Sequence, residues 1–180
     1  MKNKKVLFIT QAAVIAALYV VLTLIANAFG LANYAIQVRF SEALTILPFF
    51  TAAAIPGLFV GCVLSNIITG CALWDIVFGS LATLIGAVCT YLIAHGRKKE
   101  TDPGFYPAGN LRKWLSPIPP IIANMVIVPQ VLIHVYELEG TLWFFTLTVG
   151  AGEVISCFVL GMILLFALDK RKEAIFRVNA

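Results

Sequence analysis

The sequence predicts an all-α integral membrane protein with six transmembrane helices and both termini cytoplasmic. Three observations carry that reading. First, 61% of the 180 residues are hydrophobic and only 12% charged, where a soluble domain carries about 25% charge. Second, the mean hydropathy is +0.95, and the apolar residues fall in runs with no apolar/polar alternation, which excludes a barrel. Third, the basic residues sort to one side once the runs are read as crossings. A disordered chain and a nucleic-acid-binding protein are excluded by the same composition.

Each run needs to satisfy its own backbone in lipid, so each reads as a helix. The first covers residues 6–27. Its Lys-rich start and Ala26-Asn27-Ala28 resemble a signal peptide, but its apolar run is too long for a typical h-region. The second covers residues 41–54 and the third 56–70, with Pro56 placed as the first residue of a new helix. The fourth covers 74–94. A polar stretch rich in Gly, Pro, Lys and Arg, residues 95–113, reads as a cytoplasmic loop. The fifth covers 117–136 and the sixth 141–168, all within a single membrane domain.

The second and third runs are short for a bilayer core of about 30 Å. Charge placement keeps them separate. With six crossings, 12 of the 13 basic residues share the side of the N-terminus, the 95–113 loop and the C-terminus. Merging the two runs splits those twelve 3 against 9, with Arg39 changing nothing. The positive-inside rule prefers six.

Several chemistries lack their motifs. No G-x-x-x-x-G-K-[ST] is present, so the chain has no P-loop for a nucleotide phosphate. H-E-x-x-H and G-x-S-x-G are also missing, which leaves an intramembrane enzyme unsupported. The four cysteines, Cys62, Cys71, Cys89 and Cys157, lie in apolar runs without C-x-x-C spacing. They read as packing residues, with no disulfide and no metal site.

Polar groups inside a membrane are costly, so they are candidates for function. Glu153 lies in Gly150-Ala151-Gly152-Glu153, near the middle of the sixth run, with Asn124 its counterpart in the fifth and Asn66 in the third. Glu42 opens the second run after Gln37 and Arg39, and Asp75 follows Trp74 at the start of the fourth. Gln130 and His134 share a face of the fifth. Glu42, Asp75, Glu137, Glu139 and Glu153 against Arg39 leave the outer half at a formal −4. An acidic outer cavity suits a ligand rich in hydrogen-bond donors, or a cation. The plainer readings remain open: Arg39 with Glu42 as a structural ion pair, Glu153 with Asn124 as an interhelical bond, and Trp74 as an interface-belt residue.

Small residues form a second pattern. Ala12 and Ala16, and Ala13 and Ala17, are spaced by four, as are Gly57, Gly61 and Ser65. Such spacing lets helix backbones approach closely, within this chain or against another protein.

Four blocks resemble a known family. They are Gln37-Val38-Arg39-Phe40-Ser41-Glu42-Ala43-Leu44-Thr45-Ile46-Leu47-Pro48-Phe49-Phe50, Ile55-Pro56-Gly57-Leu58-Phe59-Val60-Gly61-Cys62, Trp74-Asp75-Ile76-Val77-Phe78-Gly79-Ser80-Leu81-Ala82-Thr83-Leu84 and Gly150-Ala151-Gly152-Glu153-Val154-Ile155-Ser156-Cys157. Together they resemble the queuosine-precursor transporter family, QueT. The resemblance implies a substrate-binding S component of an energy-coupling factor (ECF) importer, in a bacterial cell membrane. It implies as partners a transmembrane coupling subunit and two ATPase subunits, so that ATP hydrolysis lies outside this chain and no cofactor is needed. It implies 7-cyano- or 7-aminomethyl-7-deazaguanine as substrate, bound near the outer face. Under that reading Glu153 takes the base edge with Asn124 beside it, and Glu42 or Asp75 takes the amine. Trp74, Gln37, Arg39 and Asn66 complete the site, and Ala12, Ala13, Ala16 and Ala17 face the coupling subunit. The alternatives are an S component for another vitamin and a self-sufficient ion-coupled carrier with Glu153 as its proton site.

Overall fold

A computed structural model describes residues 2–30, 38–96 and 110–176, and every regular element among them is helical. Helix α1 is Lys2–Ala28. Its 27 residues rise about 40 Å, enough to cross a bilayer core. Ile15, Ala16, Tyr19, Thr23 and Ala26 form its buried stripe, while Val6, Ile9, Val14 and Val21 are exposed on the other side.

The second predicted helix departs from the expected α-helix over 41–54. It is a 3-10 helix, Phe40–Phe49, with Pro48 in its last turn. All its residues from Ser41 to Phe49 are buried, packed against α1 and every long element except those of the fifth and early sixth runs. A 3-10 helix rises about 2.0 Å per residue, against 1.5 Å in an α-helix. Its ten residues therefore cover about 20 Å along the axis of the bundle. Two bonds mark the distance: Thr23 Oγ1 donates to Ser41 Oγ at 2.8 Å near one end, and Thr51 Oγ1 donates to Gln11 Oε1 at 3.1 Å near the other. The 3-10 geometry stretches a short segment along α1.

Helix α2 is Ala54–Ile68. Its start lies two residues ahead of Pro56, which sits in the first turn, where a missing N–H costs nothing. Gly57 and Gly61 hold it against α1. A Cβ on Gly57 would lie 2.7 Å from the Ala12 carbonyl oxygen, and one on Gly61 2.7 Å from Tyr19 Cβ. Ala12 and Ala16 thus lie at an internal seam, whereas Ala13 and Ala17 are exposed.

Helix α3, Leu73–His95, ends at Gly96, whose φ of +59° suits glycine. A short helix α4, Asn110–Leu115, begins inside the stretch expected to be loop. Its Trp114 sits against Phe158 and Phe166, with ring centroids 5.9 Å away in each case. Helix α5, Ile118–His134, packs on α3. The sixth run forms α6, Leu142–Glu153, a π-helical stretch, Val154–Leu160, and α7, Gly161–Asp169. A further short helix, α8, Lys172–Phe176, lies beyond the predicted end at 168. There Phe176 stacks on Phe50 at 5.2 Å.

Among the described residues, four stretches are long and apolar enough to cross a membrane: Lys4–Ala28, Leu73–His95, Leu111–His134 and Leu142–Asp169. The 3-10 helix and α2 are shorter apolar helices; the first is buried within the bundle, while α2 packs on α1 and α3 and leaves Val60, Leu64, Ile67 and Ile68 exposed. Many large apolar side chains face outward, as expected of a protein solvated by lipid.

Candidate functional site

The buried start of the 3-10 helix brings Glu42 into the bundle. Its side chain is 1% exposed. Ser41 is tied to Thr23 of α1, and the Thr45 hydroxyl donates to the Glu42 carbonyl at 2.6 Å. The Glu42 carboxyl is thus set by the backbone of a rigid element. The Tyr19 hydroxyl, from α1, donates to its Oε1. The other oxygen, Oε2, is buried and has no direct hydrogen-bond partner.

Glu153 reaches the same space from the last turn of α6. The chain widens into π-helix directly after it, a feature frequent at functional sites. Cys157, four residues on, donates its thiol to Glu153 Oε2 at 3.1 Å. The same sulfur lies 3.6 Å from the Glu42 carbonyl oxygen and 3.5 Å from Thr45 Oγ1. Ligand atoms of Glu42, Glu153 and Cys157 all lie within 4.8 Å of one another. Asn124 of α5 is buried beside both carboxyls and interacts with each.

A second group adjoins the first. Asp75, in the first turn of α3, accepts a 2.9 Å bond from Tyr136, and that hydroxyl accepts from the Ala72 backbone N–H at 3.1 Å. Partial burial, with Asp75 adding to it, pushes the Tyr136 hydroxyl up to about 12, so it remains a donor at neutral pH. Asn66 and Asp75 both border Gly79: a Cβ there would lie 3.4 Å from Asn66 Nδ2 and 3.5 Å from Asp75 Oδ1. Arg39 lies within electrostatic range of both Asp75 and Glu42, and its backbone N–H donates to Ser156 Oγ at 3.2 Å.

Of the residues singled out in the sequence, the structure gathers Glu42, Glu153, Asn124, Arg39, Asp75 and Asn66. It does not bring Trp74 to them. That side chain is 57% exposed and stacks on Phe78 at 5.8 Å, on the outside of α3. Gln37 lies outside the described residues. Gln130 and His134 do share a face, but they line a separate cleft against Phe78.

The chain's sequence matches the model of the QueT transporter family over residues 9–170. The chain belongs to the QueT transporter family. No curated protein and no solved structure matches it. As a QueT transporter the chain is a multi-pass membrane protein of a transport family and not of an enzymatic one.

Sequence reasoning missed Tyr19, Cys157, Cys62 and Tyr136. Tyr19 carried a readable signal, since a phenol on the Ala12/Ala16 side of a membrane helix needs a buried partner. Cys157 shares a helix face with Glu153, four residues away, but a cysteine in an apolar run reads as packing. Cys62 accepts weak bonds from Thr83 Oγ1 at 3.5 Å and Asn66 Nδ2 at 3.7 Å. No local pattern marks it or Tyr136.

Proposed function

We propose that this QueT transporter is the substrate-binding S component of an ECF-type importer for 7-deazaguanine bases, the 7-cyano and 7-aminomethyl precursors of queuosine. The observation that carries the reading is the pair of buried carboxyls, Glu42 and Glu153, with Asn124 beside both. A guanine-type edge presents N1–H and an amino group side by side, which one carboxylate accepts as a bidentate pair. Glu153 takes that edge, and Asn124 serves the adjoining ring positions. Glu42 is the better acceptor for an aminomethyl cation, because Oε2 is uncommitted while Asp75 already holds Tyr136. Arg39 and Asn66 border the remainder of the ligand.

In this reading the chain makes six crossings of a bacterial cell membrane, with both termini cytoplasmic. The 3-10 helix and α2 are the two short ones. Ion pairing supports one basic end: Lys113 and Lys172 both bind Asp169, at 2.7 and 3.1 Å, beside the C-terminal helix. The coupling subunit docks on the exposed side of α1, where Ala13 and Ala17 lie among outward-facing aliphatic residues. Ala12 and Ala16 serve the seam with α2 instead. The two ATPase subunits supply the energy.

The deciding experiment is a titration of the purified chain in detergent with 7-aminomethyl-7-deazaguanine, read by calorimetry, with guanine and thiamine as controls. Saturable binding of the deazaguanine alone is expected. Folded protein that binds thiamine and not the deazaguanine would make it an S component for another vitamin. Uptake into liposomes by the chain alone, driven by a proton gradient, would make it a self-sufficient carrier.

A further inference from the structure

The three groups that converge most closely in the bundle are two carboxyls and a thiol. Glu42, Glu153 and Cys157 come from the 3-10 helix, the end of α6 and the π-helical stretch, and none is more than 6% exposed. Their ligand atoms lie within 4.8 Å of one another. Independently of that clustering, Glu42 Oε2 is buried with no hydrogen-bond partner. A buried unsatisfied carboxylate oxygen is costly, and its presence points to a partner that the protein alone does not supply.

We infer that Glu42, Glu153 and Cys157 form a site for a thiophilic divalent cation of the zinc class. The donor set selects the metal. Calcium and magnesium take oxygen ligands and reject a thiol, whereas zinc accepts sulfur and carboxylate oxygen together. Bonds of about 2.0–2.3 Å place tetrahedral ligands about 3.3–3.8 Å apart. Closing from 4.8 Å to that spacing needs a contraction of about 1 Å, within reach of side-chain rotation. Three protein ligands leave the fourth position for water. Charge agrees in direction: with Arg39 balanced by Asp75 nearby, the two carboxylates and the thiolate hold a formal −3 that a divalent cation reduces to −1.

The chemistry balances simply. The thiol proton now lies on the 3.1 Å bond to Glu153 Oε2. Metal binding replaces that bond with a metal–sulfur bond and releases the proton to solvent, with no change of oxidation state. The Thr45 hydroxyl, 3.5 Å from the sulfur, can turn its proton from the Glu42 carbonyl to the thiolate. The site stands on this geometry and does not depend on which small molecule the protein carries. Since the cation uses the carboxyls proposed for the base, the two compete.

The test uses the full chain in detergent, titrated with Cd²⁺ and read by the ultraviolet sulfur-to-cadmium charge-transfer band, with Zn²⁺ as competitor. The expected result is a saturable band from about one ion per chain, reversed by Zn²⁺, with proton release in weak buffer. It should persist in Cys71→Ser/Cys89→Ser, which removes the less buried thiols. Losing a group that merely hydrogen-bonds a metal ligand costs about 10–100-fold in affinity, so loss of the sulfur ligand itself in Cys157→Ser should cost at least tenfold. Absence of the band in folded wild-type or double-variant protein overturns the inference, and so does unchanged affinity in folded Cys157→Ser. Should Cys157→Ser fail to fold, Glu153→Gln replaces it, with the same expected loss and the same overturning result. Deazaguanine binding is measured in parallel, so failure of the metal site and failure of the substrate reading are separate results.

Discussion

Tyr19 donates its phenolic hydrogen to Oε1 of Glu42, joining the first helix to the start of the 3-10 helix inside the bundle. The phenol is 1% exposed and so is the carboxyl. Both groups are shielded from bulk solvent. Replacing Tyr19 with Phe keeps the ring and removes the donor, leaving a second unsatisfied oxygen on Glu42. An unmade buried bond costs about 1–3 kcal/mol. Thermal unfolding in detergent should show that loss, and ligand affinity should fall with it. A variant as stable as the wild type would show that the bond contributes nothing.

Glu153→Gln keeps the volume and removes the charge proposed to receive the base edge. Charge-assisted hydrogen bonds are worth about 1.5–3 kcal/mol, which is about ten- to hundredfold in affinity. Calorimetry should register that weakening with the unfolding temperature little changed. Unaltered affinity would move the base edge away from Glu153.

The two alanine stripes on α1 should respond oppositely. At the internal seam, a Cβ on Gly61 would sit 2.7 Å from Tyr19 Cβ and 3.0 Å from the Ala16 carbonyl oxygen. Gly61→Ala should therefore displace Tyr19, lower stability by about 1–3 kcal/mol and weaken ligand binding. Ala13→Leu, on the exposed side, should leave ligand binding intact and impair co-purification with the coupling subunit. Normal assembly of Ala13→Leu would put the partner on another face.

Tyr136 ties the end of α5 to Asp75 and to the turn before α3. Its hydroxyl is held up at about 12, above the usual value of about 10. Raised in the folded state, it adds stability that is full below about pH 10 and lost as pH rises through about 12. Between about pH 6 and 9 the Tyr136 hydroxyl should not titrate. Tyr136→Phe should lower stability at pH 7 and flatten the alkaline limb of the stability profile, measured by unfolding across pH. An alkaline limb unchanged by the substitution would exclude Tyr136 as its source.

Asp169 offers a contrast. It pairs with Lys113 and Lys172 at 2.7 and 3.1 Å, but these groups are partly exposed. Asp169→Asn should cost no more than about 1 kcal/mol, less than Tyr19→Phe, and should leave ligand affinity unchanged. A larger loss in thermal unfolding would make this pair structural.

Much of the architecture was legible before folding because lipid imposes a local rule. A backbone in hydrocarbon must bond within its own segment, so apolar runs and their breaks place helices within a few residues. Intramembrane Glu42, Glu153 and Asn124 stood out for a local reason too: polar groups are expensive there. Three features were set by contacts between distant segments. The 3-10 geometry of Phe40–Phe49 follows from enclosure along α1, which no propensity encodes. The exposed setting of Trp74 depends on the rotation of α3, and adjacent Asp75 turns inward to Tyr136. The meeting of Tyr19, Glu42, Glu153 and Cys157 joins residues up to 138 positions apart. Hydrophobicity is a property of each segment and can be read one residue at a time. Which side chain faces which neighbour depends on how helices rotate and pack, and only the assembled bundle decides that.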